Sequence, residues 1–190
     1  GPASRLTVAA DYGQNRREVV LDGEALFDVR HDEARPFSVR AGRALIEDLG
    51  TRFTVRSTDS AEVRVAVTDG SVRLQAAGAG EAVVLTAGDR GIVRSDGRAV
   101  AEPGRASDAD LGWTRGSLVF ESASLAEVGT QLRRWYGIEL QIADPVLRTR
   151  RLTATFRGES VPEVLGVIAR ALGVEIELRA DTAVVQGPAR

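Results

Sequence analysis

Two different rhythms of apolar residues run along this chain. From residue 5 to about residue 101, apolar positions alternate with polar ones in short runs, the period of a half-buried strand. Phe27 and Val29 flank Asp28, Phe37 and Val39 follow Pro36, and Phe53 and Val55 flank Thr54. Val63, Val65 and Val67 mark one face of a longer strand, with Val72 and Leu74 on its expected hairpin partner. Asp22-Gly23, Asp69-Gly70 and Asp96-Gly97 read as hairpin-type turns, because Asp and Gly tolerate the positive φ such turns need. No helical periodicity is sustained here. The pattern predicts an all-β domain: a sandwich, a barrel or a solenoid-like stack.

Beyond residue 112 the period changes. Leu125, Val128, Leu132 and Trp135 form an apolar stripe at helical spacing, as do Val161, Leu165, Ile168 and Leu172. Ser124 with Glu127, and Ser160 with Glu163, are capping boxes at the two helix starts. Pro162 falls in a first turn, where its missing N–H costs nothing. Gly137 and Gly173 are the expected stops. The resemblance of the two segments is a duplication offset by 36 residues. Ser124-Leu-Ala-Glu-Val128 recurs as Ser160-Val-Pro-Glu-Val164, Gly137-Ile-Glu-Leu-Gln-Ile142 as Gly173-Val-Glu-Ile-Glu-Leu178, and Phe120 as Phe156. Each copy predicts strand, helix, strand, with strands near 117–121, 138–142, 152–157 and 174–179. A last strand, Thr182 to Gln186, is expected to close an edge. The fold class is therefore mostly β with α+β. An all-β domain over 5–101 and a linker over 102–112 precede a small duplicated βαβ module over 113–187. Residues 1–4, beginning Gly1-Pro2, read as a tag remnant, so the chain is expected to be an excised fragment.

Composition narrows the chemistry. At 190 residues and 43% hydrophobic, the chain has room for one large or two small cores. The formal net charge is −2 and no basic stripe runs along it, so nucleic acid is not an expected partner. Every basic residue is Arg, which reads as genome base composition. With no Cys, disulfides and thiolate metal sites are excluded. With one His, a metal site would need mostly carboxylates; no metal and no cofactor is expected. No stretch is apolar enough to span a bilayer. A small duplicated module of this kind points to docking rather than turnover.

Three stretches of the first half, in order, carry a family resemblance. They are Gly23-Glu-Ala-Leu-Phe-Asp-Val29, Arg35-Pro-Phe-Ser-Val39 and Leu49-Gly-Thr-Arg-Phe-Thr-Val55, extended by Asp69-Gly-Ser-Val72 and Leu85-Thr-Ala-Gly-Asp89. Together they resemble the periplasmic region of FecR-type sigma-factor regulators. The second half resembles the short N-terminal module shared by secretins and TonB-dependent receptors. The resemblance implies the periplasmic region of a single-pass inner-membrane anti-sigma factor, with no enzymatic turnover. Its implied partners are the N-terminal signalling domain of a TonB-dependent outer-membrane receptor, regulatory proteases and, through a cytoplasmic part, an extracytoplasmic-function sigma factor. Siderophore or iron-type ligands would be the signal. The competing classes are a secretin-type assembly protein, against which the FecR-like stretches stand, and a carbohydrate-binding β-protein.

Some regulators of this type break their own chain at a Gly-Thr bond, which makes Gly50-Thr51 the candidate for chemistry. A threonine hydroxyl can attack the carbonyl before its own nitrogen, and a preceding glycine permits unusual φ/ψ. Thr51 would be the nucleophile; the alternative is a tight turn entering the Phe53 strand. His31 could accept a proton, although its neighbours Asp32 and Glu33 make it read as a solvated loop residue. Glu47-Asp48 reads as solvated turn charge. Trp135 is expected in the core, Tyr136 partly exposed and available to a partner. The expected docking edge is Thr182, Ala183, Val184, Val185 and Gln186, since an unpaired strand edge accepts added strands.

Overall fold

The computed structural model describes residues 1–14, 16–57, 62–78 and 81–187. The chain divides into two units, Gly1–Leu111 and Gly112–Arg190.

The first unit contains β1 (Arg5–Val8), β2 (Arg17–Asp28), β3 (Phe37–Ala41), β4 (Ala44–Asp48) and β5 (Arg52–Ser57). They are followed by β6 (Val63–Asp69), β7 (Ser71–Ala76), β8 (Val83–Thr86), β9 (Arg90–Val93), β10 (Ala99–Glu102) and a short helix α1 (Asp108–Leu111). The strands run in the order β10-β9-β6-β5-β2-β3-β4-β7-β8, with β1 also on β2. The long strand β2 joins two halves. Its first part pairs with β1 and, in parallel, with β3; from Gly23 onward it pairs antiparallel with β5. The alternating residues of both halves bury into one core, in which Val39, Ile46 and Leu74 from one half meet Phe53, Val55 and Val65 from the other. The two faces approach closely at Gly91, where a Cβ would lie 2.4 Å from Leu85 Cδ1 and 2.6 Å from Leu74 Cδ2. The layered all-β expectation thus takes the form of a folded-over, two-layered sheet.

Two expected turns are not hairpins. Asp22-Gly23 lies inside β2, where the strand changes partners with Gly23 at φ 111°. Asp69-Gly70 joins β6 to β7, but β6 pairs with β5 and β9 while β7 pairs with β4 and β8. It is a corner at which the chain passes from one half to the other. Local residue types specify a turn but not which strand follows as neighbour. The 102–112 stretch, expected as linker, includes the end of β10 and all of α1. Asp110 there is buried, accepts from Ser107 N at 3.1 Å and lies 3.8 Å from Arg90.

The second unit contains β11 (Leu118–Ser124), α2 (Leu125–Tyr136), β12 (Glu139–Ile142), β13 (Arg151–Phe156), α3 (Val161–Leu172), β14 (Glu175–Arg179) and β15 (Thr182–Gln186). Each copy is strand, helix, strand, as the duplication predicts, yet the two strands of a copy do not share a sheet. The first strands, β11 and β13, pair antiparallel with each other, while the second strands, β12 and β14, flank β15. Both helix stripes bury into one core with Phe120, Leu152 and Phe156. The capping boxes form: Ser124 N and Ser160 N each donate to the glutamate three residues on, at 2.8 Å. In α2 the return bond from Glu127 N to Ser124 Oγ measures 3.3 Å. Ser124→Ala should lower the stability of this unit by about 1 kcal/mol, measured as a lower urea midpoint at unchanged slope.

The expected docking edge is corrected by this topology. β15 is the middle strand, hydrogen-bonded on both sides, with Ala183 and Val185 in the core. Its alternating Ala-Val-Val pattern suits burial between two neighbours, and lying last in the chain did not place it at the edge. Trp135 and Tyr136 both pack partly buried against the core. Burial, and after it the charge of Glu159, pushes the Tyr136 hydroxyl above its ordinary pKa.

Candidate functional site

Several connections between the halves of the first unit meet at one end. β2 leads to β3 through residues 29–36, β4 leads to β5 through Leu49-Gly50-Thr51, and β6 leads to β7 through Gly70. The connection from β8 to β9 lies alongside, with Ala87 N donating to Gly70 O at 3.1 Å and Gly88 N to Val67 O at 2.9 Å. The Gly50-Thr51 bond is therefore not the entry to a hairpin. It is a layer-crossing corner, held by other corners.

Gly50 adopts φ 94°, a left-handed conformation that favours glycine. A Cβ added there would meet the His31 side chain, at 3.1 Å from Cβ and 3.6 Å from Nδ1. The loop of 29–36 thus lays its histidine directly over Gly50. On another side the Gly70 backbone closes in. A Cβ at Gly70 would lie 2.1 Å from Gly50 O and 3.1 Å from Gly50 C, so only hydrogen fits between the two chains.

Thr51 is 3% exposed. Its hydroxyl donates to Ser71 O at 2.5 Å, and Leu49 N donates to the same carbonyl at 3.2 Å. Thr51 O in turn accepts from Val29 N at 3.0 Å. A hydroxyl that donates its one proton to a carbonyl keeps both lone pairs. Attack of that oxygen on the Gly50 carbonyl carbon would close a five-membered ring through Thr51 Cβ, Cα and N. The corner thus offers a fixed, buried nucleophile next to a glycine carbonyl.

Two acidic residues precede it with opposite fates. Glu47 faces outward, 3.6 Å from Arg73. Asp48, read from sequence as solvated turn charge, is instead 5% exposed, and among the described residues neither carboxylate oxygen has a hydrogen-bond partner. Successive strand residues point to opposite faces, and β4 buries Ala44, Ile46 and Asp48 together. An unpartnered buried carboxylate is costly, and this one sits two residues before Gly50. His31 is half exposed, its Nε2 3.8 Å from Glu33 Oε1. Sequence reasoning names Gly50, Thr51 and His31 separately but misses their contact and the part of Gly70 and Ser71. The Asp69-Gly70-Ser71 turn was visible; its partner, twenty residues away along the chain, was not. Among the described residues no group of three His, Cys, Asp or Glu could hold a metal ion.

Comparison with known proteins agrees with this architecture. Residues 1–73 match the family model described as FecR protein, and residues 117–185 match the model described as FecR, C-terminal. The two matches lie in successive units and together span most of the chain, which belongs to the FecR family. Membership supports a role in sigma-factor regulation. The fold is that of a crystal structure described as a putative anti-sigma factor from Parabacteroides distasonis ATCC 8503. The TM-score is 0.87 at 22% identity, covering 100% of this chain and 89% of that one. A second crystal structure with the same description gives 0.86 at 22% identity, covering 100% and 88%. No curated protein sequence matches the chain. No helix among the described residues is long and apolar enough to cross a membrane.

Proposed function

We propose that this chain is the periplasmic signal-receiving region of a transmembrane anti-sigma factor, and that its β-unit breaks its own backbone once, at Gly50-Thr51. In this reading the N-terminal signalling domain of a TonB-dependent outer-membrane receptor grips the region. A siderophore-type signal then reaches an extracytoplasmic-function sigma factor through the cytoplasmic part, with regulatory proteases acting on the cut chain. Family membership supports the regulatory half of this reading. The observation that carries the chemical half is the buried Thr51 hydroxyl, held at the Gly50 corner by Ser71 O.

The chemistry balances without an outside reagent except water. Thr51 Oγ1 gives up its proton and adds to the Gly50 carbonyl carbon. The Gly50 C–Thr51 N bond breaks, the nitrogen takes a proton, and an ester now joins Gly50 to Thr51 Oγ1. Water then opens the ester, leaving a Gly50 carboxylate and a Thr51 with free amine and hydroxyl. An amide-to-ester exchange is uphill, so it depends on a nucleophile already in place, which a rigid site supplies as effective concentration.

The two pieces should stay together after the cut. β5 follows Thr51 directly and is paired on both sides, with β2 and β6. The protein should therefore run as one species on a sizing column and as two, residues 1–50 and 51–190, on a denaturing gel. Thr51→Ala, which lacks the nucleophile, should remain a single band with an intact mass. Cutting at the same bond in Thr51→Ala, or an uncut wild type, would remove the chemical half of the reading. Calorimetry with the receptor's signalling domain tests the other half separately.

A further inference from the structure

We infer that His31 is the proton-transfer residue of the Gly50-Thr51 exchange, a role that rests on the self-cleavage reading above. The exchange needs one group that takes the Thr51 hydroxyl proton and returns a proton to the departing Thr51 nitrogen. Ser71 O, which now accepts the hydroxyl, is an amide carbonyl and cannot hold a proton near neutral pH. An imidazole can, and the only histidine of the chain lies on Gly50.

The ring lies against the Gly50 backbone. Nε2 points toward Glu33, 3.8 Å from Oε1, while Nδ1 is on the Gly50 side, 3.6 Å from where a Gly50 Cβ would be. With the ring proton on Nε2, the nitrogen nearer the Glu33 carboxylate, Nδ1 is the acceptor. The absence of a side chain at position 50 is what gives the ring this approach. Neutral His31 takes the Oγ1 proton as the Gly50 C–Oγ1 bond forms, then gives it to Thr51 N as the C–N bond breaks. The histidine ends unchanged, ready for the hydrolysis of the ester. The other ionisable groups on the elements that meet here are Arg30, Asp32, Glu33 and Arg35 on the same loop, Glu47 and Asp48 before the corner, Arg52 after it, Asp69 before Gly70, and Asp89 in the β8–β9 connection; of these only the carboxylates can take up a proton near neutral pH. Asp32 is engaged by Arg35 at 2.8 Å. Asp48 is buried, with no hydrogen-bond partner among the described residues, which makes it the rival for the role.

The test compares wild type, His31→Gln and His31→Ala, each produced as the full chain and first captured uncut at low temperature. Cleavage is followed by intact mass from pH 5 to 8, with and without hydroxylamine, which attacks the ester but not the amide. His31 is half exposed, so both variants should keep the wild-type circular dichroism and melting transition. His31→Gln should cleave about a hundredfold more slowly, and hydroxylamine should not restore it, since the ester forms too slowly. The wild-type rate should fall on acidification, as a reaction with a general base requires, and that acidic limb should vanish in the variant. Added imidazole should restore part of the rate in His31→Ala, which a merely structural role would not allow. Undiminished cleavage in His31→Gln overturns the inference and leaves the self-cleavage reading standing. So does an acidic limb that survives the substitution, which would give the proton transfer to Asp48. A wild type that stays whole in hydroxylamine removes both.

Discussion

Gly70→Ala should stop chain scission at Gly50-Thr51 and weaken the first unit, although it touches neither residue of the bond chemically. Two costs arise at once. Gly70 has φ 75°, and an L side chain in the left-handed region costs about 1–2 kcal/mol. The new methyl would also lie 2.1 Å from Gly50 O, far inside contact distance, and the obstacle is backbone that cannot swing aside. The corner at Gly50 must therefore move, and with it the hydrogen bond from Thr51 to Ser71 O, which is the residue next to the new methyl. Gly88→Ala separates the costs. Gly88 has φ 89°, and a Cβ there meets nothing within 4 Å, so it pays for its conformation alone. The expected result is a similar conformational loss in both variants, with a further loss of stability and a fall in cleavage rate of a hundredfold or more only in Gly70→Ala. Urea denaturation and intact mass read the two effects. Equal cleavage in the two variants would mean that contact between the corners does not organise the bond.

That contact also marks where the sequence stops being legible. The helices could be read closely because their signals are local. Ser124 with Glu127, Ser160 with Glu163, and the glycines at 137 and 173 stand within one turn of the residues they cap. Strand existence was legible for the same reason, through alternation in Phe27, Phe53 and Val63 to Val67. Neighbour relations were not. Asp22-Gly23 and Asp69-Gly70 carry turn residues, but one continues a strand and the other crosses between layers; the difference lies in which distant strand completes the hydrogen bonding. The same blindness put Thr182 to Gln186 at an edge, when β12 and β14 close on it from both sides. At the site, Gly50-Thr51 stood out as a motif. His31 is the half-exposed loop residue that its polar neighbours suggest, but its contact with Gly50 could not be read, and Asp48 looked exposed because it adjoins Glu47. Burial and contact at both positions are set by the way the layers fold over, which no window of residues contains.

Phe156→Ala should be the most damaging single change in the second unit, and the reason lies in its duplication. The first strands of the two copies pair with each other, with Leu118 opposite Phe156 and Phe120 opposite Ala154. This brings the two equivalent phenylalanines into contact, with ring centroids 6.1 Å apart in an edge-to-face arrangement at 75°. Both are buried in the core that receives α2 and α3. Truncating a buried phenylalanine costs about 3–5 kcal/mol, a large share of the roughly 5–15 kcal/mol that holds a domain folded. Both tryptophans of the chain, Trp113 and Trp135, belong to this unit, so their fluorescence in a urea titration reports on it alone. Phe120→Ala should cost nearly as much. The double variant should cost less than the two together, by about 1 kcal/mol of ring–ring coupling. Strict additivity would mean that each ring packs only against its own copy, and that the pairing of the first strands is not what binds the repeats into one body. A shortfall near the expected value would tie the stability of the unit to the symmetry written in its sequence.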